Sequence, residues 1–106
     1  MIINTTPHPI NIIGSSDEIV QILPAAEHPW RLEEFRIPGL FEVEGIPVNK
    51  VSFKNAERPP LPVNGTFYIV SQIIKQQYPD REDFLAPDQV LRSVKGEILG
   101  CKSFRV

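Results

Sequence analysis

The chain reads as an α+β protein, a mostly antiparallel β-sheet or small open barrel carrying one short packed helix. Three observations lead there. Apolar and polar residues alternate with a period of two in several short segments, the mark of half-buried strands. Eleven prolines among 106 residues are about twice the ordinary share and argue against long helices. Between Thr66 and Pro79 the apolar period changes from that of a strand to that of a helix. With 42% hydrophobic and 23% charged residues, a chain of this length can bury roughly two-thirds of its extended surface without a metal or disulfide staple. Residues 1–106 are therefore expected to form a single domain.

Taken in order, Met1 to Asn4 and Ile10 to Ile13 have strand character on either side of a stiff Thr6-Pro7-His8-Pro9 corner. Gly14-Ser15-Ser16-Asp17 is turn chemistry, and Glu18 to Leu23 returns as the second strand of a hairpin, stopped by Pro24. Ala25 to Phe35 mixes helix formers with Pro29 and is expected to be irregular or a single turn. Phe41 to Glu44 alternates apolar with acidic, Gly45-Ile46-Pro47 is expected as a corner, and Val48 to Phe53 alternates again. Residues 54–65, with Pro59, Pro60 and Pro62, form an extended connection stiffened by proline. Thr66 to Val70 is a buried-strand run. Ser71 then offers a hydroxyl N-cap to a short helix that ends near Pro79. On that helix Ile73 and Ile74 are expected to face the protein, with Gln72, Lys75 and Gln76 in water. Phe84-Leu85 is an apolar anchor, and Gln89 to Val94 with Glu97 to Val106 forms a last hairpin through Lys95-Gly96.

Composition narrows the chemistry. A net charge of −2 with basic residues scattered among acids argues against nucleic acid as a partner. The single cysteine excludes an internal disulfide and a thiolate metal cluster, in keeping with a reducing, cytoplasmic setting. The N-terminus lacks a basic segment followed by an apolar run, so no signal peptide is expected, and no stretch has the length of a membrane span. HExxH, CxxC, calcium-loop and Walker patterns are missing, so neither metal nor cofactor is expected.

Four residues are candidates for a ligand- or partner-binding site: His8, Asp80, Arg81 and Asp83. His8 lies between two prolines that nearly preset its backbone, so its imidazole can serve as a base or ligand donor or close a local hydrogen bond. Arg81 can offer a planar fork to a carboxylate or phosphate, oriented by Asp80 and Asp83; the same cluster can instead order the loop after the helix. Trp30, Arg31 and Phe35 are candidates for an interface; Trp30, Phe35 and Phe41 with the proline-rich connection form either an exposed amphipathic surface or the lid of the small core. Cys101 reads as a packed thiol, and Ser71 as a cap, since the glycines of a nucleophile elbow are missing around it.

The chain resembles a family of small bacterial and phage proteins of uncharacterised function. The resemblance rests on Thr6-Pro7-His8-Pro9-Ile10, on Tyr68-Ile69-Val70-Ser71, on the run from Pro79 to Pro87, and on Gly96 to Cys101; residues 24–60 match loosely. It carries over no catalytic assignment. It implies a small protein that binds a host factor or sequesters a signalling nucleotide. The leading expectation is thus a non-enzymatic binding module, oligomeric, recognising a host protein or a small polar ligand through the Thr6–Pro9 corner and the Asp80–Asp83 loop. One rival is a small hydrolase or transferase using His8 with an acidic residue or Cys101, and another is a phage structural or assembly component with complementary apolar patches.

Overall fold

The computed structural model describes residues 1–55 and 57–106; Ala56, inside the proline-stiffened connection, lies outside the described residues. Strands β1 (Ile2–Asn4), β2 (Ile10–Ile13) and β3 (Ile19–Leu23) are followed by two long ones, β4 (Leu32–Val43) and β5 (Ile46–Asn55). Then come β6 (Phe67–Ile69), the helix α1 (Gln72–Gln77), β7 (Phe84–Arg92) and β8 (Ile98–Arg105). Six strands make one sheet in the order β1-β6-β7-β8-β2-β3, while β4 and β5 pair only with each other.

The main sheet is mixed, which corrects the expectation of a mostly antiparallel one. β2/β3 and β7/β8 are antiparallel hairpin pairs, as their turns demand. The pairs β1/β6, β6/β7 and β2/β8 are parallel. The parallel β6/β7 pair needs a crossover, and α1 supplies it. The two edges of this sheet converge at one end. The Asn4 side chain donates to the carbonyl of Pro24, just past β3, at 3.0 Å. Nearby, the amides of Ala26 and Trp30 donate to the carbonyls of Thr6 and Thr5, both at 2.9 Å. The sheet therefore curls into a nearly closed barrel, an arrangement that shields strand edges. At β2/β8 the backbones approach so closely that a Cβ on Gly100 would lie 2.6 Å from the carbonyl oxygen of Asn11. Only glycine fits there.

Ser71 caps α1 as expected, its hydroxyl accepting from the Ile74 amide at 3.3 Å. The helical face differs from the sequence reading: Ile74 is buried but Ile73 is substantially exposed. Lys75, expected in water, turns back and donates to the Phe84 carbonyl at 3.1 Å. A six-residue helix has fewer than two turns, so few of its side chains can face the sheet. Ile74 joins Tyr68, Val70 and Phe84 in the core, with Trp30, Leu32 and Tyr78 packed around them. Phe84, 0% exposed, is the hub. Its ring centroid lies 5.6 Å from Trp30, 6.1 Å from Tyr68 and 5.7 Å from Tyr78, all edge-to-face.

β4 and β5 form an arm that the sequence reading broke into pieces. The strand expected to begin at Phe41 begins at Leu32, inside the segment read as irregular, and Ile46 and Pro47 belong to β5 instead of a corner. The turn is only Glu44-Gly45, with φ of 51° and 78°, the two positive values of a type I′ hairpin turn. Pro38-Gly39-Leu40 bulges out between the pairs Ile37–Lys50 and Phe41–Val48, and the Gly39 amide donates to Asn49 Oδ1 at 3.0 Å. A ribbon of two strands has an outer edge on each, where proline costs no ladder bond. At its root the arm is held by Leu32, packed on the core, and by the Gln77 side chain, which donates to the Phe53 carbonyl. The radius of gyration is 17.2 Å, against about 13 Å for a compact chain of this length. The accessible surface is 7913 Å², against about 6,000 Å² for a compact monomer of this mass. The excess follows from an arm that projects from the barrel.

Candidate functional site

The loop from Pro79 to Asp83 closes on itself. Arg81 Nε and Nη2 donate to the two carboxylate oxygens of Asp83 at 2.7 and 2.8 Å, and Nη2 also donates to the Pro60 carbonyl at 2.9 Å. The guanidinium carbon stands 4.2 Å from the centre of the Phe84 ring. With side chains 17% and 11% exposed, this is a half-buried fork-to-fork pair over an aromatic face. The hydrogen bond from Arg81 holds the Asp83 carboxyl below the usual carboxylate range, and the same bond raises Arg81. The fork that the sequence offers to a ligand is thus already occupied within the loop, tying the proline connection to the core. Asp80 remains exposed. A cleft of about 450 Å³ lies beside the loop, lined by Asp80, Arg81, Glu82 and Asp83 with residues 62–67.

The other corner sits apart from it. The His8 carbonyl accepts from the Asn4 side chain at 2.8 Å and from the Thr6 hydroxyl at 3.1 Å, which makes the corner a rigid turn. Its imidazole is exposed, and His8 lines neither this cleft nor a second, larger one of about 500 Å³. The larger cleft joins Trp30, Arg31, Glu27 and His28 to Arg58 and Pro59 across the two connections that flank the arm. Trp30 forms one wall of this cleft while its ring packs 5.2 Å from Tyr68. Of the three residues expected at an interface, then, Trp30 serves the core and the cleft, Arg31 lines the cleft, and Phe35 stands on the arm.

Cys101 is 1% exposed in β8, and burial pushes its thiol pKa up, the reverse of an activated nucleophile. Its neighbour Lys102 bonds Asp17 at 2.8 Å. Among the described residues no three His, Cys, Asp or Glu side chains gather as metal ligands, and no helix is long and apolar enough to cross a membrane.

The arm carries the feature least visible in the sequence. Residues paired across an antiparallel ladder share a face, so Phe35, Ile37, Phe41 and Val43 line up with their partners Ser52, Lys50, Val48 and Ile46. On this face Phe35, Ile37, Phe41, Val43 and Ile46 are each 50–64% exposed, and Leu40 in the bulge is 51% exposed. The opposite face carries Glu34 and Arg36, paired at 2.8 Å, beside Phe53 and Val51, which are less exposed at 41% and 38%. A Glu-Gly turn between Val43 and Ile46, with apolar residues alternating outward on both sides, signals the hairpin. Nothing local signals that its apolar face is left bare.

Comparison of the chain with protein-family models, with characterised proteins and with solved structures finds no match.

Proposed function

We propose that the chain is a non-enzymatic binding module whose working element is the β4–β5 arm and whose partner is a protein. The carrying observation is the row of five half-exposed apolar side chains on one face of a hairpin held to the body at its root. A two-stranded ribbon is at best marginally stable alone in water, and an exposed apolar patch of this size on a small protein marks an interaction surface. Residues 32–55 carry four glutamates against three basic side chains, with Glu42 and Glu44 at the tip. That charge disfavours an anionic bilayer as the partner and suits a protein surface. The closed Arg81–Asp83 pair and the buried thiol of Cys101 support a binding role over a hydrolase using His8 or Cys101. Of the expected roles, a host-factor binder and a phage assembly component both draw on this surface.

A photo-crosslinking phenylalanine analogue in place of Phe41, irradiated in cells making the protein, is expected to yield discrete protein adducts. The same group at Val94, fully exposed in the far hairpin turn, is expected to yield none. Absent adducts at position 41, or equal labelling at both positions, would overturn the reading.

The larger cleft supports a second reading, a small polar ligand such as a nucleotide held between Arg31 and Arg58 beside an indole. Its volume of about 500 Å³ lies in the range of small-molecule sites. Because Trp30 is the only tryptophan, its fluorescence reports occupancy directly. Titration with ATP is expected to quench it saturably, and an unchanged spectrum at millimolar nucleotide removes this reading.

A further inference from the structure

We infer that the occupant of the arm's apolar face is a second copy of this chain, packed arm against arm in antiparallel orientation; this rests on the reading of the arm as a protein-binding element. Area is the first argument. A half-exposed Phe, Ile or Val still shows water on the order of 100 Å². The five residues together therefore expose about 500 Å², and two copies about 1,000 Å² of apolar surface. With the polar rim added, the pair reaches the 1,200–2,000 Å² of ordinary stable interfaces, roughly what a closed dimer needs.

Charge supplies the orientation. The tip of the arm is acidic, with Glu44 in the turn, whereas the apolar face carries Lys50 midway and ends at the root in Lys54 paired with Glu33. Packing two arms in parallel would set Glu44 against Glu44. The antiparallel arrangement keeps the two acidic tips apart and brings each Glu44 to the other copy's Lys54, where it shares that ammonium with Glu33. Distance agrees: from Ile46 to Lys54 is about 27 Å along a strand, so one register overlays the whole face. In that register Ile37 meets Phe41 of the second copy, and Phe35 lies over its Val43 and Ile46. Lys50 then falls beside the second copy's Phe41, within reach of a cation–π contact. The interface is isologous, so it closes as a two-fold dimer and does not propagate into a fibre.

Light scattering on the eluting wild-type protein is expected to show twice the chain mass of 12.0 kDa, and Phe41→Lys is expected to elute as the monomer with an unchanged far-UV spectrum. Glu44→Lys and Lys54→Glu, each turning two symmetric attractions into repulsions, are expected to raise the dimer Kd about tenfold. The double variant is expected to return within about threefold of wild type, and a mixture of the two single variants to form heterodimers. Glu44 and Lys54 lie on the projecting arm, so the barrel folds whether or not the arms pair. A monomeric wild type at 100 μM overturns the inference. Wild-type dimers that the double variant fails to restore overturn the antiparallel arrangement. Failure here is separable from failure of the arm reading: adducts at position 41 to a different protein, with a monomeric wild type, reject the second copy and keep the arm. Absent adducts reject both.

Discussion

Phe84→Ala is expected to lower the unfolding free energy by about 3–5 kcal/mol, the largest effect of any single substitution considered. Phe84 opens β7 and touches every layer of the core. Its ring meets Trp30 from the segment before the arm and Tyr68 from β6, with Tyr78 reaching it from the end of α1. Removing it deletes three edge-to-face contacts and the face beneath Arg81, and leaves a cavity that strands on both sides cannot close. Since a domain of this size holds about 5–15 kcal/mol in total, the variant sits near the threshold of folding. Urea unfolding at one fixed protein concentration measures the loss. A change under about 1 kcal/mol would show that the aromatic cluster is not the centre of this structure.

Arg81→Ala is expected to cost about 2–3 kcal/mol at neutral pH. Breaking a fully buried ion pair costs about 3–5 kcal/mol; the side chains here are 17% and 11% exposed, so water softens the penalty. The acid dependence follows from the direction of the Asp83 shift. Its folded pKa lies below that of the unfolded chain, near 3.9. The pair's contribution is therefore present in full above about pH 4 and is lost as pH falls through the folded value. The gap in stability between wild type and Arg81→Ala should accordingly narrow in acid, as urea unfolding at neutral pH and at about pH 3 would record. A gap that stays constant would separate Asp83 from Arg81 energetically. Arg81→Lys keeps the charge but not the fork and should fall between the two. Loss of binding in Arg81→Ala would thus report damage to the loop's structure, whereas Asp80, exposed beside the same cleft, can be changed without breaking the pair.

Several parts of this molecule were legible from local chemistry. The Gly14–Asp17 turn, the Ser71 cap and the Lys95-Gly96 hairpin each act within a few residues, and the structure forms all three. A small barrel with one short helix was within reach because hairpins and stiff proline corners leave few ways to close a small sheet; the crossover and the parallel pairs were not. What the residues did not disclose was pairing between distant segments. The parallel match of Ile12 with Cys101 depends on a close approach that Gly100 permits but does not announce. The arm was misread for a related reason. Proline normally interrupts strands, and at Pro38 and Pro47 only the open edges of a two-stranded ribbon make it tolerable. At the candidate site, the residue types of the Asp80–Asp83 loop offer an arginine fork with acids around it. Whether that fork would meet Asp83 or an outside group was a matter of side-chain geometry.

By itself the sequence determined the short-range decisions: where strands alternate, where the chain turns, where the helix is capped, and which residues carry charge. Those follow from backbone dihedral preference and from side chains that reach their own neighbours. The tertiary structure alone decided that Arg81 satisfies Asp83, that His8 lines neither cleft, and that the apolar face of the arm is left half-exposed. Burial and pairing are properties of what lies opposite a residue, and for long-range partners only the folded chain specifies that.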